Sequence, residues 1–103
     1  MIHVLAEISL HPDARDAFVA EFRRLTPLVR AEDGCLEYQG ALEIPTEIAA
    51  QAPVRRDVFT VVEKWRDEAA LAAHLVAPHM DDHRARARAL TQGTVIRVLR
   101  SIS

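Results

Sequence analysis

The segment Val58 to Trp65 alternates as a half-buried strand does, with Phe59, Val61, Glu63 and Trp65 on one face and Val58, Thr60, Val62 and Lys64 on the other. Such a strand needs partners for its backbone groups and a second layer over its apolar face, and the rest of the chain must supply both. Ile2 to Leu10 also alternates, setting Ile2, Val4, Ala6 and Ile8 against His3, Leu5, Glu7 and Ser9. Cys35 to Leu42 reads as a further strand, with Leu36, Tyr38 and Gly40 on one face and Cys35, Glu37 and Gln39 on the other. Gln92-Gly93 turns the chain into a last strand, Thr94 to Leu99.

Helical spacing fills the intervals. Phe18, Phe22, Leu25 and Val29 form an apolar stripe after His11-Pro12-Asp13, where Asp13 is placed to cap the helix. Pro27 should interrupt and bend its last turns, and Gly34, in Glu32-Asp33-Gly34, can end it in the left-handed conformation. Asp67 caps a short helix reaching about Val76, and Pro78 separates it from a helix over about His79 to Leu90. Glu43 to Asp57, with Pro45, Pro53 and Arg55-Arg56, reads as a long connection holding at most a helical turn near Glu47 to Gln51. The order predicts one α+β domain over residues 1–103, an antiparallel sheet with its helices on one face. The other face is too apolar to stay wet, which predicts a dimer.

Composition narrows the function. A chain of 103 residues buries roughly 65% of the surface its unfolded form exposes, enough for one core but little more. Thirteen Lys plus Arg against fifteen Asp plus Glu give a net charge of -2, which suits neither a phosphate backbone nor an anionic membrane. No stretch approaches the ~20 apolar residues of a membrane span, and no apolar leader opens the chain, so a cytoplasmic protein is expected. Cys35, the single cysteine, has no partner for an internal disulfide. A glycine-rich phosphate loop and a serine nucleophile elbow are both missing.

Three of the five histidines, His74, His79 and His83, fall close together. His79 and His83 lie four apart on a helix and could bind a metal with Asp82 or Glu63, although a solvated helix face explains the same spacing. His74 is in line to face the sheet, either as a half-buried histidine held by a backbone carbonyl or as a base for a hydroxylated ring. Trp65, Tyr38 and Phe59 could wall such a pocket or simply pack the core. Glu63 shares its face with apolar neighbours and should be paired or have a raised pKa, with Arg97 as its partner if the last strand lies adjacent.

Val61-Val62-Glu63-Lys64-Trp65, then Asp67 to Leu71, His74-Leu75 and Pro78-His79-Met80, resemble the signature of the antibiotic biosynthesis monooxygenase family. The opening Val4 to Ile8 strand, the Glu32-Asp33-Gly34-Cys35 turn leading to Tyr38 and the closing Val95 to Leu99 strand fit the same pattern, most like that of small bacterial quinol monooxygenases. The resemblance implies a ferredoxin-like fold that dimerises sheet to sheet into an α+β barrel, with a pocket between sheet and helices. It implies oxygenation of a quinol or polyphenol by O2 without metal, flavin or other cofactor. His74 would then be the base or oxyanion partner, Trp65 and Tyr38 wall and donors, and His79 a secondary polar contact. Phe59, Glu63 and Arg97, placed by strand alternation, are the other candidate substrate contacts. Ala77 stands where many relatives carry a Thr able to cap the last helix, and the chain contains no asparagine, which argues against the haem-degrading branch.

Two other readings follow from the same residues. One is an isomerase of a small phosphorylated sugar-like signalling molecule, which would draw on Arg55, Arg56, Arg84 and Arg97. The other is a non-catalytic dimer that binds a small ligand. A flat apolar slot favours the oxygenase, a polar water-filled pocket the isomerase, and a filled core without a pocket favours a mere stress-associated scaffold over a ligand binder.

Overall fold

The computed structural model describes residues 1–103. Its elements run β1 (Ile2–Leu10), α1 (Arg15–Arg30), β2 (Cys35–Leu42), β3 (Val58–Trp65), α2 (Glu68–Leu75), α3 (Pro78–Ala87) and β4 (Thr91–Arg100). The strands form one antiparallel sheet in the order β2-β3-β1-β4, with the helices on one face, a ferredoxin-like α+β architecture. In β1 and β3 the register pairs Ile2 with Trp65, Val4 with Glu63, Ala6 with Val61 and Ile8 with Phe59, so the two inward faces meet as alternation requires. The connection 43–57 contains turns but no helix.

Helix α1 covers the sheet through Phe18, Phe22, Leu25 and Val29, all buried. Each such side chain contributes about 1.5–3 kcal/mol when fully removed from water. Two expectations are corrected here. Pro27 lies inside a continuous helix that runs on to Arg30, because the tertiary burial of Leu25 and Val29 outweighs one missing backbone donor. Asp13 makes no cap: it takes a left-handed conformation (φ 67°), and Ala14 occupies the N-cap without a side-chain hydrogen bond.

Strand β2 departs from simple alternation. Cys35 pairs with Trp65 and Glu37 with Lys64, so Leu36 is an extra residue at a bulge. Cys35 therefore shares the inward face with Tyr38, and Leu36, expected beside Tyr38, is exposed. Gly40 is required by the same face, since a Cβ there would lie 2.2 Å from the Phe59 ring.

Strand β4 pairs with β1 and is distant from β3, an edge strand that leaves Val95, Ile96, Val98 and Leu99 about half exposed. The molecule is flat, 37 × 36 × 20 Å, as one sheet under one helical layer must be. It exposes 6757 Å², against the roughly 5,800 Å² expected of a monomer of this mass.

Candidate functional site

Helix α2 begins at Asp67, whose carboxylate accepts the Ala70 N–H at 2.8 Å. From that start Ala70 and His74, four residues apart, are the residues it buries against the sheet. The contact is close: Gly34 takes φ 86°, and a Cβ on it would stand 2.6 Å from the Ala70 Cβ. Ala77 is extended, and Pro78 opens α3 with no side-chain cap, as the Ala at this position predicts. That start places His79 in the first turn of α3, five residues after His74 across the helix junction.

These elements assemble a buried polar cluster. The Trp65 indole N–H donates to Glu63 Oε1 at 2.9 Å, and His74 Nε2 lies 4.0 Å from the same oxygen. On its other side His74 Nδ1 is 2.8 Å from Glu32 Oε2, and His79 Nε2 is 2.7 Å from that oxygen. His74 packs on Trp65 with ring centroids 4.6 Å apart and meets Tyr38 edge-on at 5.7 Å. Burial pushes the Glu63 carboxyl up to about 7; the indole hydrogen bond opposes the shift and the Glu32 charge adds to it. Burial also pushes His74 below its usual value, against the attraction of Glu32, and raises the Tyr38 phenol.

The cluster unites Tyr38, Glu63, Trp65, His74 and His79 of the residues expected from the sequence. Two others lie elsewhere. Arg97 pairs opposite Leu5 and so faces the other side of the sheet, where it meets Glu7 at 3.3 Å, and β1 separates its strand from β3. Phe59 shares the strand face of Glu63 but sits too far along the strand, packed on Phe18 (4.9 Å) and Phe22 (4.8 Å). Tyr38, stacked on Phe22 at 5.3 Å, joins that aromatic group to His74. His79 and His83 do not converge: His83 turns to Glu21 at 2.7 Å on α1.

The expected cavity over His74 is closed. Trp65 is 0% exposed and His74 2%, and the rings fill the space between sheet and helix. The largest cleft, about 570 Å³, runs instead between α1 and β2, past Thr26, Arg30, Gly40 and Phe59. A second, about 390 Å³, lies over the start of β2 and reaches Tyr38. Of the four arginines considered for a phosphorylated substrate, Arg55 and Arg97 both bind Glu7 on the open sheet face, away from the cluster.

Glu32, which the residue pattern marks only as part of a helix terminator, is the central acceptor of the cluster. Its signal is indirect: the Glu32 turn leads into Cys35, which the bulge sets opposite Trp65. Glu32, His74 and His79 also bring donor atoms within 4.8 Å of one another, and two imidazoles with one carboxylate are a ligand set that zinc accepts. Here those atoms satisfy one another at hydrogen-bond distances.

Comparison with known proteins bears on this arrangement. A family model described as antibiotic biosynthesis monooxygenase matches residues 1–86. The Escherichia coli protein named Probable quinol monooxygenase YgiN is 33% identical over 82 residues, 78% of each chain. The crystal structure of PA3566 from Pseudomonas aeruginosa aligns with a TM-score of 0.81 at 28% identity, covering 99% of this chain and 94% of its own. That of Rv0793 from Mycobacterium tuberculosis gives 0.80 at 27% identity, covering 99% and 95%.

Proposed function

The chain belongs to the antibiotic biosynthesis monooxygenase family, and we propose that it is a cofactor-independent monooxygenase that oxidises a quinol or polyphenol with O2. The observation that carries this reading is the buried set of Trp65, Glu63 and His74, an imidazole base beside a carboxyl raised to about 7, among flat aromatic walls. His74 takes the hydroxyl proton of the substrate. The resulting phenolate passes one electron to O2, and the radical pair joins a ring carbon to oxygen as a peroxide. Protonation of the peroxide, with His74 or the acid form of Glu63 as donor, is followed by loss of water that carries away the ring hydrogen and leaves a quinone. Metal and flavin have no part in this scheme.

Substrate would enter by a transient lifting of α2, whose fully buried residues are Ala70 and His74, and the helix would reseat on Glu32 before the proton moves. Two copies would meet through the open sheet face. The surface excess over an ordinary monomer, about 950 Å², is close to the roughly 800 Å² that one partner contributes to a standard interface.

The deciding experiment follows O2 uptake and product mass with labelled O2 across a quinol panel, using wild type and His74→Ala. Label in the product, lost in the variant, supports the monooxygenase. The closed packing of Trp65 and His74 favours a second reading, a non-catalytic scaffold dimer, and absence of labelled product above the spontaneous rate would select it.

A further inference from the structure

Glu32 stands outside the face of β3, in the turn that ends α1, yet two imidazoles converge on one of its oxygens. His74 Nδ1 and His79 Nε2 lie 2.8 Å and 2.7 Å from Oε2, and Glu32 itself is largely buried. A carboxylate oxygen only accepts, so both ring nitrogens must carry their protons. For a neutral His74 that leaves one tautomer: hydrogen on Nδ1 and a free lone pair on Nε2, the nitrogen turned toward Glu63 and Trp65.

We propose that Glu32 is the positioning carboxylate of this site: it fixes the tautomer of His74 and braces it as a base, while His79 pins the carboxylate from the other side. The proposal deepens the reading of His74 as base and rests on it for its kinetic arm. When a substrate O–H bond breaks, the new N–H forms at Nε2 and the positive imidazolium lies against the Glu32 carboxylate. His79 has its own role. With one oxygen held by two donors from separate helices, the carboxylate cannot rotate away from His74 without breaking a charge-assisted bond on the other side. The other groups that face or act on His74 are Glu63 from β3, Tyr38 from β2 and Arg84 from α3. Of these, Glu63 is the only carboxylate besides Glu32 able to receive a ring proton once Glu32 is gone.

The test is long-range 15N–1H correlation spectroscopy of the His74 ring in the full chain, with kinetics beside it. The wild type should show the Nδ1–H tautomer at pH 8. Glu32→Leu, similar in size but unable to accept, should move His74 toward Nε2–H, and Glu32→Asp should restore Nδ1–H in part. On the quinol panel kcat should fall at least 100-fold in Glu32→Leu with KM within about threefold, and Glu32→Asp should recover at least a tenth of the rate. His79→Ala, which keeps the His74 bond, should leave the tautomer in place and lower kcat by about tenfold or less. An Nε2–H tautomer in the wild type, or an unchanged one in folded Glu32→Leu, overturns the proposal. The tautomer arm needs no turnover, so absence of activity in every protein would count against the monooxygenase reading alone.

Discussion

The Trp65 indole N–H donates to Glu63, two residues earlier on the same strand face, at 2.9 Å. The bond gives a buried carboxylate one strong donor but no cation, since Arg97 lies across the sheet. Glu63 is therefore left with a pKa raised from 4.5 to about 7.

That shift has a definite sign for stability. Between pH 4.5 and about 7 the folded chain holds a proton on Glu63 that the unfolded chain has lost, so the Glu63 contribution falls as pH rises. Glu63→Gln should remove this loss. Its unfolding free energy relative to wild type, measured by denaturant titration, should improve from pH 4.5 to pH 8 by roughly 3 kcal/mol, from about 1.4 kcal/mol per pKa unit. His74 works the other way, losing stability as pH falls below its unfolded value, and is common to both proteins. A difference between the two proteins that stays constant over this range would refute the assignment.

His74→Ala should lower kcat with quinol substrates by about 10² to 10⁴-fold. Trp65→Phe keeps an aromatic ring, though a smaller one, and deletes the N–H that holds the Glu63 pKa down. The limb of the pH–rate profile belonging to Glu63 should then move to higher pH. A profile identical to wild type would separate Glu63 from the rate.

Exhaustive chelation should leave the rate of the wild type unchanged, because the proposed scheme uses no metal. Zn²⁺ added to micromolar excess offers a converse check, since capture by Glu32, His74 and His79 would tie up the base and inhibit. Loss of activity on chelation, restored by one metal, would reverse the scheme.

Gly34→Ala should destabilise the fold by about 2 to 3 kcal/mol, lowering Tm by on the order of 10 °C. Its φ of 86° strains any other residue, and the new methyl would meet Ala70 at 2.6 Å. The variant should also displace α2 and weaken the His74 to Glu32 contact, visible as changed His74 ring shifts. A melting temperature within about 2 °C of wild type would contradict this account.

Leu99→Asp places a charge on the open sheet face at a half-exposed position, where the folded single chain tolerates it. Light scattering at micromolar concentration should give twice the chain mass for wild type and the chain mass for the variant. A monomeric wild type would remove the sheet-to-sheet dimer.

Much of this organisation was legible in the residues. The inward faces of β1 and β3 follow from strict alternation, and α2 from the Asp67 cap. Features decided by pairing were not. The Leu36 bulge reversed the expected faces at the start of β2, and the placement of β1 between β3 and β4 parted Arg97 from Glu63. Glu32 joins His74 from 42 positions away, a meeting that no local pattern announces. Asp13 and Pro27 carried sound local preferences that the burial of α1 overrode.

The bulge in β2 works as a phase adjuster between two halves of the molecule. By absorbing Leu36 without a partner, the strand lets Cys35 arrive on the helix side while Tyr38 keeps its own place inward. The turn from Glu32 to Gly34 thus emerges beneath α2, within reach of the histidines, and not on the far side of the sheet. For pairing alone Leu36 is surplus. A chain lacking it would have an unbroken ladder and an unchanged cluster, whereas a chain forced to pair it would carry Glu32 away from its histidines.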